Sequence, residues 1–120
     1  MNIRQLKNAD DIKDYLDSVN SNYVKVAITD IDGVLRGKYM HRDKFLKATT
    51  SGFGFCDVIF GWDSNDDLYE LRRKEGKKIF TGWHTGYPDV KVRIIPESAR
   101  AIPFEKNTLI VLSELSNKEV

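Results

Sequence analysis

An alternating run broken by Asp-Gly most constrains what this chain can fold into. From Tyr23 the sequence reads YVKVAIT, with Val24, Val26 and Ile28 at one parity and Lys25, Ala27 and Thr29 at the other. A period of two marks a strand buried on one face. Asp30-Ile31-Asp32-Gly33 follows, then a second extended run from Val34 to Met40. Asp-Gly between two extended runs is a hairpin signal, because Gly takes a positive φ at little steric cost. The same letters place Asp30 at a strand end with Asp32 two residues on. Asp30 therefore carries either chemistry or a turn.

The flanking segments complete a small α+β pattern. Ile12, Tyr15, Leu16 and Val19 recur at helical spacing, so residues 9–20 read as a helix with Asn8 or Asp10 as its cap. RDKFLKATTS reads as a short helix or turn ending near Gly52, and FGFCDVIFGW as an apolar, central strand. SNDDLYELRRKEGKK opens with Ser64 and Asp67 in a capping-box pattern, carries acids first and bases last, and stops at Gly76. DVKVRIIPES alternates, and ARAIPF and TLIVLSEL read as final strands around an EKN turn. The expected fold is α+β: a mixed, mainly antiparallel sheet of about 4–6 strands with about 1–3 short helices, not a βαβ alternation. The 120 residues suit one core. Residues 1–22 read as helix and lead-in, 23–115 as the sheet domain, and 116–120 as a polar tail.

Composition excludes several functions. A net charge of +1 favours neither nucleic acid nor an anionic membrane. The basic cluster Arg72, Arg73, Lys74, Lys77 and Lys78 lacks interleaved stacking aromatics and reads as a solvated helix end. No stretch has the length of a membrane span, and no apolar signal core opens the chain. Cys56 is the only cysteine, so it has no intrachain disulfide partner. It reads as a small buried hydrophobe, and His41 and His84 are too scattered to build a zinc site with it. These features suit a cytoplasmic protein with no metal of its own.

TDIDG resembles the nucleophile motif of the haloacid-dehalogenase phosphatases, and RRKEGKKIFTGW their second motif. That resemblance implies Asp30 as nucleophile, Asp32 as general acid/base and Thr81 on the phosphate. Lys25 and Thr29 interrupt what should be a continuous apolar strand. No acidic pair follows Thr81 to hold the Mg²⁺ such chemistry uses. The phosphatase reading ranks second.

TDIDGVLRGKYMHRDKF resembles the N-terminal β-grasp domain of the glutamine synthetase family more closely. Asp30, Gly33, Arg36, Gly37, Lys38, Asp43 and Phe45 match its pattern in order and spacing, and GFCDVIFGWD matches an apolar strand, a Gly-Trp ending at Trp62 and an acidic loop. TGWHTGYPDVKVRI, ARAIPFE and TLIVLSEL resemble members that join glutamate to organic amines or whose substrate is unassigned. The resemblance spans roughly residues 23–115.

That resemblance implies an ATP-dependent ligase that phosphorylates the glutamate γ-carboxylate and lets ammonia or an amine attack it. It further implies a homo-oligomer in which this domain lends one wall to a neighbouring subunit's site. The catalytic domain, with its Mg or Mn ligands and ATP contacts, is expected outside this chain, which is then inactive alone and binds no cofactor itself. The resemblance pairs Asp57 with the family's ammonium-binding Asp, but the spacing to Trp62 is shorter, and Cys56-Asp57-Val58-Ile59 replaces the Asp-Gly-Ser-Ser of the best-known members. Ammonia and a larger amine both stay open. Asp57 and Asp63 are the candidate amine-site carboxylates, each equally readable as a turn residue. A non-catalytic β-grasp module that binds a protein partner is the third reading.

Overall fold

A computed structural model describes residues 6–56, 65 and 89–116. Helix α1 spans Ala9–Val19, followed by strands β1 (Tyr23–Thr29) and β2 (Leu35–His41). Helix α2 (Arg42–Ser51) leads to β3 (Phe53–Cys56). After residue 89 come β4 (Asp89–Ile94), a 3-10 turn at Pro96–Ser98, a short β5 (Arg100–Ala101) and β6 (Leu109–Leu115). The strand order is β2-β1-β6-β4-β3, with β5 beside β6. Among the described strands only β1 and β6 run parallel; the other described pairs are antiparallel. A first hairpin, a helix packed on the sheet and a last strand inserted parallel to the first make a β-grasp arrangement.

Each element follows from local sequence. Asn8 caps α1, its Oδ1 accepting from the Asp11 amide at 2.9 Å. Ile12, Tyr15 and Leu16 form the buried face of that helix. Helix α1 ends at Asn20, which takes the left-handed conformation with φ 54°. Helix α2 is capped by His41, whose Nδ1 accepts from the Asp43 amide at 3.2 Å. That cap gives His41 a structural role its sequence position did not announce. Gly52 closes α2 at φ 74°, where an added Cβ would lie 2.7 Å from the Val92 carbonyl oxygen.

The sheet buries one face. Val24, Val26, Met40, Leu109, Val111 and Ile94 meet Ile12, Leu16 and Phe45 of the helices in one cluster. A smaller cluster of Ile28 and Val92 with Phe53 and Phe55 continues the same face beyond the helices. Strands β4 and β5 form one interrupted neighbour of β6. Seven residues from Ile94 to Arg100 face four from Ser113 to Ile110, and the 3-10 turn takes up the difference. The apolar run from Phe53 lies last in the strand order rather than centrally among the described strands. Its phenylalanines are half-buried against Ile28 and Val92 from one side, which demands apolar residues without a central position. The helix expected from Ser64 to Gly76 lies outside the described residues.

Gly37 fits a tight approach between β1 and β2, since an added Cβ would lie 2.6 Å from the Val26 carbonyl oxygen. Gly37→Ala should lower unfolding free energy by about 1–3 kcal/mol. Phe45, fully buried in the main cluster, should cost about 3–5 kcal/mol as Phe45→Ala. Urea unfolding checks both.

Candidate functional site

Register places four chain ends at one edge of the domain. Strands β1 and β6 are parallel and finish together, at Thr29 and Leu115. Strand β4 enters from the same end, with Val92 opposite Leu115, and β3 runs out there, with Cys56 opposite Asp89. The Asp30 turn sits at this end too. An open groove of about 340 Å³ lies between the two parallel strand ends, lined by Thr29, Asp30, Ile31, Ser113 and Glu114 among others. The Ser113 hydroxyl, buried, donates to the Ala27 carbonyl at 2.9 Å and fixes the groove floor.

Asp30 belongs to the turn. Its Oδ1 accepts from the amides of Asp32 at 2.9 Å and Val34 at 3.0 Å. Its Oδ2 accepts from Arg36 Nε at 3.1 Å. Its own amide donates to the Val34 carbonyl at 2.9 Å, and its carbonyl accepts from the Gly33 amide at 3.1 Å. Gly33 has φ 78°, the left-handed residue of a three-residue hairpin loop. The Asp30 side chain has no exposed surface, so no phosphate can reach it in line. A hairpin also follows β1 directly, where the phosphatase architecture needs a crossover helix. The nucleophile role is therefore excluded.

Burial pushes the Asp30 carboxyl up, but the amides of Val34 and Asp32 and the Arg36 guanidinium together hold it below the usual carboxylate value.

The Arg36-Gly37-Lys38 triplet divides by parity. Arg36 and Lys38 pair with Ile28 and Val26 and so share the helix side of the sheet. Gly37 pairs with Ala27 and shares the opposite side of the sheet, where Ala27 is buried. Arg36 clamps Asp30, while Lys38 Nζ lies 5.1 Å from the Phe53 ring centre and 5.5 Å from that of Phe55. Lys38 thus binds β2 to β3 beside the point where β3 ends at Cys56. Of the matched residues, Asp30, Gly33, Arg36, Gly37 and Lys38 come together as a structural unit at this end. Trp62 and the two amine-site candidates, Asp57 and Asp63, lie outside the described residues, as do Thr81 and His84. Among the described residues no three His, Cys, Asp or Glu side chains group as a metal site.

One cluster carried no sequence signal. Tyr39 OH donates to the Glu105 carboxylate at 2.7 and 2.8 Å, and Lys25 Nζ lies 3.3 Å from Glu105 Oε1. The hydrogen bond from Tyr39 holds the Glu105 carboxyl below its usual value against burial, with help from Lys25. Lys25 in turn is raised, first by its bond to Glu105. The partners are 66 and 80 residues away from Glu105 in sequence, so no spacing rule finds them.

A carboxyl lowered by folding stabilises the fold fully above the unfolded value of about 4, and that stabilisation is lost as pH falls through the folded value. Asp30→Asn should therefore lower the melting temperature at neutral pH, with the gap to wild type closing in acid. Thermal unfolding across pH 2–7 checks this.

Comparison with known proteins places these features. No family model matches the chain. It is 43% identical over 111 residues to type-1 glutamine synthetase 2 of Dictyostelium discoideum, covering 92% of this chain and 20% of that protein. It is 33% identical over 109 residues to the glutamate–isopropylamine ligase of a Pseudomonas species, covering 88% of this chain and 22% of that protein. The solved structure of GmaS with ADP matches at a TM-score of 0.60 and 14% identity, covering 94% of this chain and 21% of that one. GmaS without ligand matches at a TM-score of 0.57 and 14% identity, over 86% of this chain and 20% of that one. These structural likenesses show the fold. The chain spans about a fifth of the length of the relatives it matches. With the β-grasp sheet and the identity along nearly its whole length, the chain belongs to the glutamine synthetase family, as an N-terminal domain of that family.

Proposed function

We propose that this chain serves as the N-terminal domain of a glutamine synthetase-type ligase, one that joins glutamate to ammonia or an organic amine at the expense of ATP. The observation that carries the reading is the 43% identity with a named glutamine synthetase over 92% of the chain. The relative named for isopropylamine supports an amine as the nucleophile. In this reading the domain is inactive alone and lends one wall to a catalytic domain of the same or a neighbouring subunit in a cytoplasmic homo-oligomer. Among the described residues no helix is long and apolar enough to cross a membrane.

The sheet end supports a location for that wall. The backbone reaches Cys56, immediately before Asp57, at the end where the Asp30 turn, the groove and the end of β6 meet. A carboxylate there attracts an ammonium and can take its proton as the amine becomes a nucleophile. Asp57 is assigned that role, with Asp63 as the second carboxylate. The Asp30–Arg36 clamp and Lys38 over Phe53 and Phe55 hold the described strands at this end in place. ATP and Mg or Mn would serve the full enzyme. The described residues offer no ligand set for a metal ion, and no step through metal or nucleotide is assigned to this chain.

In the full assembled ligase, Asp57→Ala should raise the apparent KM for the amine. A charge-assisted contact of roughly 1.5–3 kcal/mol corresponds to a rise of roughly ten- to a hundredfold. Steady-state kinetics with amine as the varied substrate test this; an unchanged KM overturns the assignment.

A further inference from the structure

Strands β2 and β3 stand at opposite ends of the described strand order, with β1, β6 and β4 between them. On a flat sheet four strand spacings, roughly 19 Å, would separate the two. Lys38 of β2 nevertheless holds its Nζ 5.1 Å from the ring centre of Phe53 and 5.5 Å from that of Phe55, both on β3. The sheet is therefore coiled toward its helix side, as twisted open sheets are. Register agrees: Lys38 pairs with Val26 and Phe53 with Val92, which are both fully buried. One side chain thus bridges the first strand of the order to the last.

That bridge lies where the helices do not reach. Ile28 and Val92 form a small cluster with Phe53 and Phe55, apart from the one that α1 and α2 cover. The two phenylalanine rings lie 5.9 Å apart, tilted by 59°, and the Lys38 ammonium is within reach of both. A cation near an aromatic face is attracted by the ring quadrupole, more strongly where water is partly excluded. Lys38 itself is exposed, so its ammonium keeps part of its hydration while it holds the rings. Among the described residues β3 pairs with β4 alone, over four residues. So short a ladder opens readily by itself, and Lys38 supplies a second attachment through the side chains.

We propose that Lys38 is a positioning residue: through Phe53 and Phe55 its ammonium fixes the end of β3 at Cys56, and with it the wall that holds the amine. This rests on the ligase reading, which puts that wall at this end of the sheet. Lys38 touches no substrate here. Without its charge β3 stays paired to β4, but its end is free to shift, and displacing a binding group by about 1 Å is enough to weaken its contact. In the same reading the ATP contacts lie on the catalytic domain, so the effect falls on the amine.

Lys38→Met keeps an unbranched side chain and removes the charge. In the full assembled ligase it should raise the apparent KM for the amine roughly two- to tenfold, the range of a cation–π contact between exposed and partly buried. The kcat and the KM for ATP should stay unchanged. Lys38→Arg keeps a cation that stacks on aromatic rings and should restore the wild-type KM. Phe55→Leu removes one ring while staying apolar, and should shift the amine KM in the same direction as Lys38→Met. In nuclear magnetic resonance spectra of the 120-residue chain, the Lys38 ε-methylene protons should lie upfield, and part of that shift should vanish in Phe55→Leu. A lysine with a merely structural role would lower the melting temperature and the active fraction without moving one KM. An unchanged amine KM in Lys38→Met, a KM that Lys38→Arg fails to restore, or ε-methylene protons without the upfield shift overturns the proposal. If Asp57→Ala raises the amine KM and Lys38→Met does not, the ligase reading stands and the positioning role falls. If Lys38→Met raises it and Asp57→Ala does not, the positioning role stands and Asp57 loses its assignment.

Discussion

The parallel pairing of β1 with β6 is the constraint on which the rest depends. Val24 and Val26 of β1 and Leu109 and Val111 of β6 are fully buried. A parallel pair cannot be closed by a tight turn, so the intervening chain must travel back across the sheet. It does so through α2, which packs Phe45 and Ala48 onto the strands. With β1 and β6 fixed at the centre, β2 can only lie outside β1, and β4 outside β6. The direction of each strand then decides which chain ends share an edge. That is how the Asp30 turn, the end of β3 at Cys56 and the end of β6 meet.

The hairpin joining β1 to β2 is held by one buried carboxylate. Asp30 accepts from two amides and a guanidinium, and these three hydrogen bonds offset the cost of its burial. An aspartate that looks chemical in a linear reading is used up by the backbone around it. The alternation of β2 separates the remaining tasks: Arg36 and Lys38 secure the helix side, and Gly37 permits the close approach to β1 on the other.

Much of this was legible from residue types. Helix α1, the first hairpin and the alternation of β4 follow from period and turn chemistry, which are local effects. The choice between nucleophile and turn at Asp30 was also legible, through Lys25 and Thr29 in the preceding strand. The position of β3 was not. Phe53 and Phe55 read as a central strand because apolar content reports burial, and one-sided packing against Ile28 and Val92 produces the same content. Family membership was legible from the order and spacing of Asp30, Gly33, Arg36, Gly37 and Lys38, and the 43% identity to a glutamine synthetase states it outright.

By itself, the sequence determined the first helix, the strand alternation and the bend at Gly33, because each depends on residues within a few positions of one another. Only the tertiary structure decided which side chains meet across long separations. Glu105 joins Lys25 and Tyr39, Lys38 reaches Phe53 and Phe55, and Leu112 stands in one row with Ala27 and Gly37. Those meetings are set by strand order and register, which come from burying two hydrophobic faces together and leave no trace in local spacing.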